Sequence, residues 1–189
     1  MKNLMILFFL LLGLTAAAQT KKNTTAGKKP AASAEKKETP ESKNNDWDAL
    51  DKSFIEFIDA LVKGDKVKFT QLSLSDVDCV DCVGPTEITS EGAFVPSGFF
   101  FAVIGQKFTE SPVYLAMAKK GYSFSSIIIK DFKPRVMPRD YPKDLKLYEV
   151  WVETYKPGEF AKNHKGTSHS FRFVKINGKF KFYGLTSIP

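Results

Sequence analysis

The sequence predicts an α+β domain in which N-terminal helices pack on a curved antiparallel sheet of four or more strands. Three observations predict it. Up to Gly121, apolar residues recur mostly at helical spacing. Beyond Gly121 the apolar period changes to two, the period of strands with one buried face. An Asn177-Gly178 pair separates the last two alternating runs and marks a tight hairpin, because both residues tolerate positive φ.

The elements follow in order. Trp47, Leu50, Phe54, Phe57, Ile58, Leu61 and Val62 share a helical stripe, so 46–63 reads as an amphipathic helix, with Asn45 as cap and Gly64 as stop. Asp65 caps a short second helix carrying Val67, Phe69 and Leu72. Thr86 to Val95 is ambiguous and is compatible with a short strand. Ser97 starts a third helix that runs through Phe108, weakened by Gly98 and Gly105. Ser111-Pro112 supplies a cap and a proline at the first helical position of a fourth, Val113 to Lys120. Tyr122 to Lys133, with Ile127-Ile128-Ile129, reads as a buried strand, and the proline-bearing stretch 134–144 as a long loop. In Leu145 to Tyr155, Val150, Val152 and Thr154 face one way and Trp151, Glu153 and Tyr155 the other. Ser168 to Ile176 alternates again, with His169, Phe171 and Phe173 on one face, and Phe180 to Ile188 returns after the hairpin. The helices are expected to cover one face of this meander.

The helix pair Trp47 to Leu72 with its Lys63-Gly64-Asp65 break, the helix at 112–120 before the sheet, and the closing hairpin Phe171-Arg-Phe-Val-Lys-Ile-Asn-Gly-Lys-Phe-Lys-Phe-Tyr-Gly-Leu together resemble the nuclear transport factor two-like superfamily, which includes SnoaL-like domains. The resemblance covers nearly all of 46–189. It implies a cone-shaped, cystatin-like fold and, in the family's enzymes, an Asp, His or Tyr acid–base set in the cone pocket. This chain has no motif onto which that set can be carried.

Ahead of the domain, Lys2, the apolar run Leu4 to Leu14 and Ala16-x-Ala18 follow the order of a signal peptide, with cleavage near Ala18. As a helix that run spans ~16 Å, about half a bilayer core. No later stretch is apolar enough to span one, so the mature chain has no transmembrane segment and is expected to be periplasmic or secreted. Residues 19–45 hold seven Lys and three Glu but no aromatic residue and no Ile, Leu or Val. Such a segment cannot offset its chain entropy by burial and reads as a disordered basic linker. Of the chain's net charge of +7, most therefore belongs to the signal and linker. The nearly balanced domain gives no footprint for nucleic acid.

Cys79-Val-Asp-Cys82 is the most conspicuous chemical feature. The first reading is a local disulfide, since these are the only two cysteines and export places them where disulfides persist. A redox centre would need a stabilised thiolate, and Asp76, Asp78 and Asp81 disfavour one. A zinc site would have to recruit the two histidines, His164 and His169, from far along the chain. No metal and no cofactor is expected.

If the domain has a pocket, Trp151, Tyr155 and Phe171 are its candidate ligand-binding residues. Glu153 and His169 are its candidate catalytic ones, because each shares a strand face with aromatics. Arg135 and Arg139 are a weaker candidate pair for an anion. There is no G-x-S-x-G elbow, no H-E-x-x-H and no phosphate-cradling glycine loop. The sequence thus points to an exported, non-catalytic binding module for a small ligand or an envelope protein. The alternatives are a small SnoaL-like enzyme acting on an apolar substrate and a homodimer formed through the sheet.

Overall fold

The structure, a computed structural model, describes residues 40–188. The expected signal peptide, and the expected linker up to residue 39, lie outside the described residues. Helix α1 spans Pro40–Lys63 and so starts at Pro40 rather than Asp46. Proline is well suited to the first helical position. The residues after it are polar, so this first stretch carries no apolar stripe from which the sequence could announce it.

Helix α2 (Lys66–Leu72) is capped as expected: the Asp65 carboxylate accepts from the Lys68 amide at 2.9 Å. Strand β1 (Ser73–Cys79) was not anticipated. Two short 3-10 turns, Val80–Cys82 and Pro85–Glu87, lead into β2 (Phe94–Pro96). Helix α3 (Ser97–Ile104) gives way to a 3-10 turn over Gly105–Glu110, earlier than the expected end at Phe108. Helix α4 (Pro112–Lys120) has the Ser111 hydroxyl accepting from the Tyr114 amide at its start. Strands β3 (Ser123–Ile129), β4 (Leu145–Tyr155), β5 (Thr167–Ile176) and β6 (Lys179–Ile188) complete the chain. The hairpin turn has Asn177 at φ 49° and Gly178 at φ 77°, as its residue types require.

The fold is α+β, with a six-stranded mixed sheet in the order β2-β1-β6-β5-β4-β3. The expected antiparallel meander is present as β3 to β6. Strand β1 adds to it parallel to β6, and β2 pairs antiparallel with β1.

The helices lie against one face of this sheet. Phe54 and Phe57 of α1, Phe69 of α2 and Phe100 of α3 are fully buried, with Phe171, Phe173 and Phe182 from the strands and Phe108 from the connecting turn. Their rings interlock: Phe57 lies 4.3 Å from Phe182, Phe100 5.2 Å from Phe182, and Phe54 5.4 Å from Phe171, centroid to centroid. Each such side chain contributes roughly 1.5–3 kcal/mol by leaving water. On the opposite face Leu145, Leu147 and Val174 are also buried. The loop before β4 covers them with buried Met137 and half-buried Phe132, Val136 and Tyr141. Strand β3 departs from its expected burial: Ile127 and Ile128 are 50% and 56% exposed. It is the edge strand, and of its apolar residues only Phe124 and Ile129 pack against the core.

Candidate functional site

Strand register decides which candidate residues meet. Val152 of β4 pairs with His169 of β5, and Val150 with Phe171, so these four point toward the helices. Trp151 pairs with Ser170 and Glu153 with Ser168, on the other side of the sheet. Glu153 and His169 are therefore separated by the sheet itself. Phe171 is buried in the phenylalanine core. Trp151 is half-buried, and its indole Nε1 donates to Ser125 Oγ at 3.0 Å. Tyr155 lies past a bulge at Thr154 and packs on Phe160 at 5.2 Å. The structure does not gather these residues around one pocket.

His169 still has a defined setting. Its Nδ1 lies 2.6 Å from the Thr154 hydroxyl. Burial pushes its pKa below the usual imidazole range, and the charge of Asp81 partly opposes that shift. Asp81 belongs to the Cys79–Cys82 turn. Those two cysteines are disulfide-bonded, with Cα atoms 5.3 Å apart, and Cys79 pairs with Leu185 of β6, itself paired with Phe171. The bridge fits an oxidising compartment. His164 lies apart in the loop before β5, where its Nδ1 accepts from the Gly166 amide. Among the described residues no group of His, Cys, Asp or Glu could hold a metal ion. Arg135 is ion-paired with Glu91, its Nε 3.3 Å from the carboxylate.

The most constrained polar cluster is one the sequence analysis did not single out. Asp78 of β1 is 7% exposed. One of its carboxylate oxygens accepts from the Ala93 amide at 2.9 Å and the other from Arg172 Nη2 at 2.5 Å. Arg172 also stands over the Tyr183 ring, 5.6 Å from its centroid. Burial, and then the Asp78 charge, push the Tyr183 pKa upward. The one available signal was Arg172 itself. Flanked by two core phenylalanines, it must point to the opposite face, and a buried guanidinium needs a carboxylate.

The surface carries shallow concavities, none of those described being lined by Glu153 or His169. An apolar groove of about 400 Å³ runs between α1 and α4, lined by Ile55, Ile58, Val62, Met117 and Tyr122 among others. No helix among the described residues is long and apolar enough to cross a membrane.

No family model matches the chain, and no curated protein matches it. Among solved structures it is similar to a domain of unknown function with a cystatin-like fold from Nostoc punctiforme, at 19% identity, over 76% of each chain, with a TM-score of 0.33.

Proposed function

We propose that this is an exported, non-catalytic recognition module, released after cleavage near Ala18 into the periplasm or medium, whose partner is a protein rather than a small apolar substrate. On this reading it is a closed relative of the cone-shaped, SnoaL-like domains, with their pocket filled. The observation that carries it is the packing of the helix–sheet interior, where eight phenylalanines occupy the place of a pocket. The alternative, a SnoaL-like enzyme, would act through Glu153 or His169, which stand on opposite faces of the sheet. The hydrogen-bonded neighbour of His169, Thr154, is only 3% exposed, which counts against that pair as a catalytic one.

The test is a thermal-shift and NMR titration of the mature chain with a panel of small apolar compounds, including long-chain fatty acids and polycyclic aromatics. A specific ligand at about 100 times its Kd stabilises a protein by ~2.7 kcal/mol, an effect easily seen. We expect no such shift, and no saturable movement of the Phe171 or His169 resonances. A saturable ligand that moves both would overturn the reading.

A further inference from the structure

The domain is nearly balanced in charge, but one groove in it is not. A concavity of about 480 Å³ lies between α1, α2 and the start of β6. Four lysines line it, Lys52 of α1, Lys68 of α2, and Lys179 and Lys181 of β6, against a single carboxylate, Glu56. That carboxylate is already paired with Lys68 at 3.1 Å. Lys181 Nζ donates to the Gln71 carbonyl, a neutral acceptor that leaves its charge uncompensated. Lys52 and Lys179 are exposed and have no ion pair among the described residues. With one of the four lysines neutralised by Glu56, three positive charges remain in the groove. A concave site lined by one sign of charge concentrates ligands of the other. The groove also borders open strand. Strand β1 begins at Ser73, opposite Phe182, so Lys179, Phe180 and Lys181 lie beyond its start and have β5 alone as a strand neighbour.

We propose that this groove binds an extended acidic segment of a partner protein, with carboxylates on alternate residues. This rests on the reading of the domain as a protein-recognition module and names the chemistry its partner presents. Charge complementarity sets the sign of the occupant, and strand geometry sets its spacing. Lys179 and Lys181 are two residues apart on one strand, so they leave the same face about 6.6 Å apart. Alternate side chains of an extended peptide have that same spacing, so successive carboxylates can meet successive ammonium groups. Such a peptide lies naturally beside strand residues that lack a neighbour, with its side chains supplying the specificity. A single compact anion such as phosphate matches the groove less well. The charges come from three separate elements, and no arginine, whose planar fork suits a phosphate, is among them. Lysines on flexible stems suit charges strung along a chain.

The test is a fluorescence-anisotropy titration of the mature chain into labelled Glu-Thr-Glu-Thr-Glu-Thr-Glu. Far-UV circular dichroism confirms that each variant is folded. Because residues 19–45 are themselves rich in lysine, the decisive comparison is between two double variants that lose the same charge. One is Lys52→Gln with Lys179→Gln in the groove; the other is Lys162→Gln with Lys165→Gln, both exposed in the loop before β5. The wild-type chain is expected to bind saturably, the groove variant about tenfold more weakly, and the loop variant within about twofold of wild type. In NMR spectra the amides of Gly178 to Lys181 are expected to move along the same binding curve. Equal weakening of the two variants overturns the groove as the site. Equally tight binding of Glu-Glu-Glu-Glu-Thr-Thr-Thr overturns the alternate spacing. Displacement of the peptide by an equal concentration of inorganic phosphate, or by phosphatidylglycerol vesicles, overturns an acidic peptide as the occupant. A wild-type chain that binds no acidic peptide overturns the proposal and leaves the recognition reading standing with a different partner. A saturable apolar ligand that moves the Phe171 and His169 resonances would strike at the recognition reading and not at this groove.

Discussion

Replacing Asp78 by Ala is the most informative single change, because it breaks a buried ion pair from one side. Asp78 and Arg172 have side chains only 9% and 16% exposed. Removing the carboxylate leaves a guanidinium without its counter-charge inside the sheet face, a loss that typically costs about 3–5 kcal/mol. The Ala93 amide, in a residue 1% exposed, loses its acceptor as well, at about 1–3 kcal/mol for a buried donor. The two losses share one site and overlap, so the expected total is about 4 kcal/mol. At roughly 4 °C per kcal/mol for a domain of this size, the melting temperature should fall by about 15 °C.

Urea unfolding followed by fluorescence of the two tryptophans measures this directly. The companion double variant, Asp78→Leu with Arg172→Met, removes both charges and keeps apolar volume. Buried pairs replaced in this way are often neutral or stabilising, so it should recover most of the loss. With the single variants Asp78→Leu and Arg172→Met completing the mutant cycle, the coupling should be about 3 kcal/mol. An Asp78→Ala cost below about 1 kcal/mol, or a cycle whose single effects simply add, would refute the reading of Asp78 and Arg172 as a coupled buried pair.

Three further outcomes are expected. Gly184→Ala should cost about 3 kcal/mol, because a methyl group there would lie 2.8 Å from Asp78 Cβ, 3.0 Å from its carbonyl carbon and closer still to its carbonyl oxygen, none of which can swing aside; a thermal melt within 1 °C of wild type would show that β1 and β6 part more easily than their register implies. For His169 the folded-state pKa lies below the unfolded value of 6.5, so the unfolded chain takes up the proton first as pH falls below 6.5. Stability should therefore rise with pH through the window beneath 6.5 and level off above it. His169→Gln should flatten that slope in urea midpoints, and an unchanged slope would place the titration elsewhere. Changing Cys79 and Cys82 together to Ser should cost at most about 2 kcal/mol, since the ring they close is short. Intact mass with and without reductant should differ by two hydrogens, and identical masses would refute the bridge.

The elements most legible in the sequence were those fixed by local chemistry. Strand β4 spans Leu145–Tyr155, the expected bounds, because Pro142 precedes it, Pro157-Gly158 follows it, and no proline or glycine interrupts the apolar and β-branched residues between. The Ser111-Pro112 start and the Asn177-Gly178 turn were equally local. Strand β1 was hidden because Ser-Leu-Ser-Asp-Val-Asp-Cys has the composition of a polar turn. Its Asp78 can be buried only because Arg172, 94 residues later, supplies the opposite charge. The exposure of Ile127 and Ile128 was hidden for a related reason. A run of isoleucines has the same pattern in a central strand and at an edge, and strand order, which no local signal carries, separates the two.

The candidate site shows how one integer in strand pairing can decide chemistry. Glu153 and His169 were each read correctly as strand residues sharing a face with aromatics. Whether they could act together depended on the β4–β5 register. Had β5 slipped by one residue against β4, its alternate side chains would have exchanged faces and His169 would have stood on the Glu153 side. The observed register is held against that slip by the core: Phe171 and Phe173, on the face of His169, are fully buried, and turning them outward would forfeit roughly 1.5–3 kcal/mol each. The packing that fills the helix–sheet interior is thus the same packing that keeps the two ionisable residues apart. Both consequences come from the phenylalanines of β5.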